Sequence, residues 1–235
     1  MTSLDKVSNG LLDKQTIEKA FKELGNLIRK RTNGNAYCEL IVVGGASILL
    51  NYGFRLTTSD IDCSDEYKVF MNDLISFVAS KYNLPEYWIN SNFTNTKSYS
   101  VNLKRVSSHY KSYGNGVLEI RTIKDLYLLA MKIVSGRKYK NDYSDILGII
   151  SIMTEKKMII NKELLDKAII ELYGTHDVID KDAYDFALEV IKNPNKYHYS
   201  EIVDIEKTNL NTIKMSVHTN MNQEELEYVL SKLDL

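Results

Sequence analysis

The chain has 235 residues, 44% of them hydrophobic and 26% charged, with 30 basic against 31 acidic side chains. That length holds one good core, or a core with a smaller helical companion. The balanced charge excludes a molecule-wide field for nucleic acid or anionic membranes, and no apolar run approaches the ~20 residues that a membrane-spanning helix needs.

In chain order, Asp13 opens a predicted helix whose apolar positions Ile17, Ala20, Phe21, Leu24 and Ile28 form one stripe, closed by Thr32-Asn33-Gly34-Asn35. Cys38 to Val43 is an apolar, β-branched run that ends at two glycines, as a buried strand does at a turn. Ala46 to Tyr52 reads as a short helix stopped by Gly53, and Thr57 to Cys63 as a second strand beside the first. Residues 66 to 82 carry a helical pattern with Val69, Phe70, Leu74, Phe77 and Val78 facing inward, and Pro85 breaks it.

From Tyr99 to Thr122 the period shortens towards two. Tyr113-Gly114-Asn115-Gly116 supplies turn chemistry and Val117 to Arg121 reads as a strand, so an antiparallel hairpin is predicted. Thr122 with Asp125 resembles a capping box for a helix that runs to Gly136. Further helices are predicted over Asp142 to Thr154, Asn161 to Tyr173, Lys181 to Lys192 and Asn222 to Leu233, the last with Glu225 in a capping box. The expected class is α/β, a mixed sheet with flanking helices over residues 1–150, followed by an α-helical C-terminal region over 151–235. The boundary is expected near 150 to 160.

Cys38 and Cys63 lie in apolar runs and read as small buried hydrophobes. His109, His176, His198 and His218 are scattered without i, i+4 pairing, which offers zinc no ligand set. Met1 to Asp13 lacks the uninterrupted apolar stretch of a secretory signal, so a cytoplasmic protein without a membrane partner is expected.

Asp60-Ile61-Asp62 is the strongest sign of chemistry. Strand alternation puts both carboxylates on one face and turns Ile61 and Cys63 to the core. Without a cation the two acids would repel, whereas a divalent ion with oxygen ligands uses both; a pair of exposed acids at a strand end is the alternative. Gly44-Gly45 falls where a strand ends and a helix begins, so free backbone N–H groups there favour phosphate; a tight turn with no ligand would need the same glycines.

Val43-Gly44-Gly45-Ala46-Ser47 with Gly53-Phe54-Arg55-Leu56-Thr57-Thr58-Ser59-Asp60-Ile61-Asp62 resembles the first motif of the polymerase-beta nucleotidyltransferase superfamily. More narrowly it is similar to the minimal bacterial branch that includes the toxins of type IV abortive-infection toxin–antitoxin systems, with one extra residue between Arg55 and Asp60. The resemblance implies a nucleotidyltransferase fold, a nucleoside triphosphate bound by Gly44, Gly45, Ser47, Arg55 and Thr58, and Mg2+ or Mn2+ on Asp60 and Asp62. Downstream, Lys132, then Arg137, then Asp142 and Asp145 are similar to the branch's lysine, arginine and Asp-x-x-Asp, although the Arg137 to Asp142 segment is longer than usual. This implies Lys132 and Arg137 beside the nucleotide, and Lys132 and Asp145 among the catalytic groups. The superfamily's third acid comes from a neighbouring strand, which makes Glu119 its counterpart; pairing with Arg121 or a lysine is the other reading of Glu119.

The residues add their own argument at Lys132. Ile123, Leu126, Tyr127, Ala130, Ile133 and Val134 make one apolar face, and Leu128 and Leu129 flank the lysine on the other. A buried ammonium needs an anion, either a triphosphate or Asp145, unless it snorkels to water.

Between Tyr87 and Leu118 there is no acidic residue, and Lys97, Lys104, Arg105 and Lys111 alternate with Tyr99, Tyr110 and Tyr113. Such a stretch suits a nucleic-acid backbone with stacked bases, and lysines on a sheet edge equally serve to block aggregation. With Arg137, Lys138 and Lys140 it would form a local positive rim. Three functions remain open. One is nucleotidyl transfer to a hydroxyl of RNA, tRNA above all, or of a protein, in a toxin–antitoxin or phage-defence setting with a cognate antitoxin as partner. The others are modification of a small molecule of the antibiotic type, and a catalytically weak nucleotide-binding partner module.

Overall fold

In a computed structural model of the chain, residues 10–64, 70–217 and 223–235 are described. The predicted helix start at 66, Val69 and the Asn222 cap lie outside them. The chain divides into two compact units between Lys124 and Asp125, earlier than the change of composition near 150 to 160.

In the first unit, Asp13 caps α1 (Lys14–Thr32) by accepting the N–H of Thr16 at 2.7 Å, and Asn33 ends it in the left-handed conformation. The predicted stripe, Ile17, Ala20, Phe21, Leu24 and Ile28, is fully buried. β1 (Cys38–Val42) runs into α2 (Gly44–Asn51), an apolar helix ended at Tyr52. β1 lies parallel to β5 (Leu118–Thr122), which pairs antiparallel with β4 (Ser108–Tyr113), giving the order β1-β5-β4 and confirming the hairpin. A second, two-stranded sheet holds β2 (Ile61–Asp62) parallel to β3 (Ile89–Asn90). The two sheets touch where Val43 donates to the carbonyl of Asp62 at 3.0 Å and Ser64 to that of Ile41 at 3.0 Å. Phe21, Trp88 and Tyr113 form the aromatic centre of the core, with ring centroids 6.0 Å apart on either side of Phe21. Cys38 and Cys63 are buried thiols, as expected.

Three local expectations change. The second strand is shorter than Thr57 to Cys63, because Thr58 leaves to pair with Leu12. In α3 (Met71–Tyr82) the buried stripe is Met71, Leu74, Ile75, Val78 and Ala79; Phe77 falls off it and is 53% exposed. Before the hairpin, Leu103–Val106 forms a one-turn helix, α4, in place of extended chain.

The second unit is helical: α5 (Asp125–Ser135), α6 (Asp142–Glu155), α7 (Lys162–Tyr173), α8 (Lys181–Lys192), α9 (Tyr199–Val217) and α10 (Gln223–Ser231). Thr122 does not cap α5. Its pairing with Val42 keeps it in β5, and its hydroxyl bonds to Asn51 Oδ1 at 3.2 Å, while Asp125 is the first helical residue with φ of +51°. Asn161 and Asp180 cap α7 and α8 through their side chains. Gly136 ends α5 at φ of +55°, where a Cβ would lie 2.3 Å from that of Asp180, so no other residue fits. The nineteen-residue α9 was not among the predicted helices. Altogether the chain is a mixed α/β protein with a small sheet, flanking helices and a helical C-terminal region. Among the described residues, no helix is long and apolar enough to cross a membrane.

Candidate active site

The turn after β1 is built by backbone constraint. Val43 is extended, Gly44 takes φ of +58°, and α2 starts with no side-chain cap on its first turn. A side chain on Gly44 would be strained by that φ, and its Cβ would lie 3.5 Å from Asp62 Oδ2. Asp62 therefore sits directly beside the turn. Ile61 and Cys63 are fully buried and Asp60 and Asp62 half-buried, so the strand alternates as predicted and both acids share the outer face. Asp60 Oδ1 accepts the Ser59 hydroxyl at 3.0 Å, and Asp60 Oδ2 accepts the side-chain amide of Asn90 at 3.1 Å. Arg55 lies over Gly45: a Cβ there would be 2.7 Å from the guanidinium carbon. A valine at Gly45 would thus displace Arg55 before it could crowd any phosphate.

Ser47 and Thr58 are not open to a ligand. Ser47 is fully buried and donates to the carbonyl of Ile123 at 2.6 Å, tying α2 to the end of β5. Thr58 is buried, exchanges backbone hydrogen bonds with Leu12 and donates its hydroxyl to the carbonyl of Asp60 at 3.2 Å. Both hold the turn and the acidic strand in place.

Glu119 is not brought to the pair. The register sets it opposite Glu39, three positions before the Thr122 level where β1 meets the glycine turn, which is about 10 Å along the strand. There it accepts Tyr37 Oη at 2.5 Å, His109 Nδ1 at 3.3 Å and Arg121 Nη1 at 3.3 Å. The bond from Tyr37, together with His109 and Arg121, lowers the Glu119 pKa, and that same bond pushes the Tyr37 phenol up to about 12. The proton stays on Tyr37, and the pairing reading of Glu119 with Arg121 holds.

The basic and aromatic stretch is largely paired off within this unit. Lys104 bonds Glu39 at 2.8 Å, Lys111 lies 3.8 Å from Glu18, Tyr110 donates to Glu18 at 2.6 Å, and Tyr113 is core.

No group of three or more His, Cys, Asp or Glu side chains suited to a metal occurs among the described residues. The side chains there that could hold a divalent cation are the Asp60 and Asp62 carboxylates, on one face beside Gly44. Magnesium takes one or two protein carboxylates and completes its octahedron with water and substrate phosphate oxygens.

In the second unit, Lys132 is buried and its Nζ lies 2.8 Å from Asp142 Oδ1 and 2.7 Å from Asp145 Oδ2, both acids fully buried. Arg137 binds Asp142 through its backbone N–H at 3.1 Å, Nε at 2.8 Å and Nη2 at 3.2 Å. Burial alone would raise the pKa of Asp142, but Lys132 and Arg137 overcome it and hold the carboxyl well below its ordinary range. Of the two readings of Lys132, the buried one holds, and Asp142 joins Asp145 as its partner.

Two residues of these settings were missed in the sequence. Asn90 ends the short run after Pro85, and only its pairing with Asp62 places it beside Asp60. Glu206 on α9 is 3% exposed, and its Oε1 accepts the N–H groups of Tyr143 at 2.8 Å and Ser144 at 3.2 Å, covering the first turn of α6. Its sequence neighbours did not single it out: Ile202, Glu206 and Asn209 lie at helical spacing, but only the fold buries all three.

Burial, with the charge of Asp145 added, pushes Glu206 up to about 8 against the hydrogen bonds from Ser144 and Tyr143. The ordinary value for a glutamate is 4.5, so between that pH and about 8 the folded chain keeps a proton that the unfolded chain releases. This contribution to stability is complete below the unfolded value and is lost as pH rises through 8. Thermal unfolding of the wild type is expected several degrees lower at about pH 8.5 than at about pH 5.5, and Glu206→Gln should flatten that dependence. Parallel slopes in the two proteins would show that Glu206 does not titrate in this window.

A mixed α/β unit with a glycine turn feeding a helix and two acids on the adjoining strand is the arrangement of a nucleotidyltransferase. Residues 18–168 match a family described as nucleotidyltransferases of unknown function (DUF6036), and the chain belongs to that family. The match takes in the glycine turn, Asp60, Asp62, Lys132, Arg137, Asp142 and Asp145, and ends before α8 and α9. No curated protein and no solved structure matches the chain.

Proposed function

We propose that the chain transfers a nucleoside monophosphate from a nucleoside triphosphate to a hydroxyl acceptor, with Asp60 and Asp62 holding Mg2+ or Mn2+ against the triphosphate. The observation that carries this is the Asp62 carboxylate set against the uncapped Gly44-Gly45 turn, with Asp60 on the same face and the Arg55 guanidinium on Gly45. The N–H groups of the first turn of α2 and Arg55 favour the anionic phosphates, and the acids need a cation between themselves and the same anion.

In the reaction the acceptor oxygen attacks the α-phosphorus, the bond to the β-phosphate oxygen breaks, and pyrophosphate leaves. The acceptor proton passes to a neighbouring carboxylate or to water. A bound divalent ion supplies charge neutralisation on the phosphate oxygens. RNA, tRNA above all, is the acceptor we favour, from the resemblance to abortive-infection toxins; a cognate antitoxin belongs to the same reading. Glu119, paired elsewhere, supports a second reading in which the chain binds nucleotide and transfers it slowly.

Incubating the full chain with each α-labelled nucleoside triphosphate, magnesium and total cell RNA tests this. Labelled RNA that is lost with chelator is the expected result. Label that stays in free nucleotide under every condition, with magnesium-dependent binding intact, favours the second reading, and no binding at all overturns both.

A further inference from the structure

We infer that Asn90 is a positioning residue that fixes the Asp60 carboxylate so that a single oxygen, Oδ1, is offered to the cation. This rests on the metal-pair reading of Asp60 and Asp62. Asn90 and Asp62 are register partners on parallel strands, so their side chains share a face, and strand alternation adds Asp60 to it. Asn90 is buried, and its amide has one orientation: Oδ1 accepts the backbone N–H of Asn92 at 3.0 Å, which leaves the Nδ2 group to donate to Asp60 Oδ2 at 3.1 Å.

That bond has two consequences. It occupies Asp60 Oδ2, which works against bidentate coordination by this acid. It also holds the carboxylate plane before any ligand arrives, so less rotamer freedom is lost when a cation binds. Asp60 Oδ1 meets the exposed hydroxyl of Ser59, a rotor that turns to water when another partner takes the oxygen. Asn90 itself, with its carbonyl spent on Asn92, acts through Asp60.

The probe is Mn2+ alone, titrated into the full chain and followed by loss of the free-ion electron paramagnetic resonance signal. The wild type should bind and Asp60→Ala should not. Asn90→Leu, close in shape without the donor, should weaken binding about tenfold, roughly the free energy of one charge-assisted hydrogen bond. Ser59→Ala should stay within about twofold of the wild type. Equal affinity in wild type and Asn90→Leu overturns the role of Asn90 and leaves the metal pair intact. Failure of the wild type to bind overturns both. A readout on the intact chain covers the case in which Asn90→Leu does not fold. The Asn90 side-chain amide should be protected from hydrogen exchange in the wild type and lose that protection in Asp60→Ala, and an unprotected amide in the wild type also refutes the inference.

Discussion

Asp62→Ala and Asp60→Ala are each expected to remove nucleotidyl transfer by a factor on the order of a thousand while the protein still unfolds cooperatively. The reaction loses a cation ligand at the point where phosphate charge must be neutralised, which in comparable sites is worth several kcal/mol of barrier. The fold keeps its core. The core contribution of this strand comes from Ile61 and Cys63, both fully buried, whereas the two acids face outward. Asp60→Ala leaves the Asn90 amide without its partner, a cost of about 1–3 kcal/mol, and Asp62→Ala leaves the Val43 N–H bond to the residue 62 carbonyl in place. Transfer assays beside thermal melts of the same samples check both halves. Retained transfer in either variant would refute the paired-carboxylate site, and loss of cooperative unfolding would make the acids structural.

Lys132→Met has the largest expected effect on stability. From the sequence, a lysine serving phosphate alone would leave a normally folded variant when replaced. The structure surrounds it with two fully buried carboxylates. Asp142 keeps Arg137 after the substitution, but Asp145 loses the ammonium 2.7 Å away. Removing one partner of a buried ion pair costs about 3–5 kcal/mol, a large share of the stability of a domain this size. Chemical denaturation should show the helical unit weakened by that amount, and Asp145→Asn in the same chain should recover part of it. Wild-type stability with transfer lost would instead assign the lysine's charge to the substrate.

What could be read before folding follows from local physics. The stripe of α1, its Asp13 cap, the hairpin over the Gly114-Asn115-Gly116 turn and the start of α7 at Asn161 depend on periodicity and on neighbours a few residues away. The alternation of Asp60 and Asp62 against Ile61 and Cys63 is of the same kind, as is the need for glycine at position 44. Partners set by register or by packing of distant segments were out of reach. Ser47 looked like a phosphate ligand until α2 turned its hydroxyl towards Ile123, and Glu119 looked like a third acid until β1 and β5 paired it with Glu39. Asn90 acquires its place from a strand pairing across 28 residues, and Glu206 reaches the start of α6 from more than 60 residues away. Residue type and spacing specify which groups can do chemistry. Which of them meet is decided by long-range pairing, which turns Ser47 and Glu119 to partners elsewhere and sets Asp62 beside the glycine turn with Asp60 on the same face.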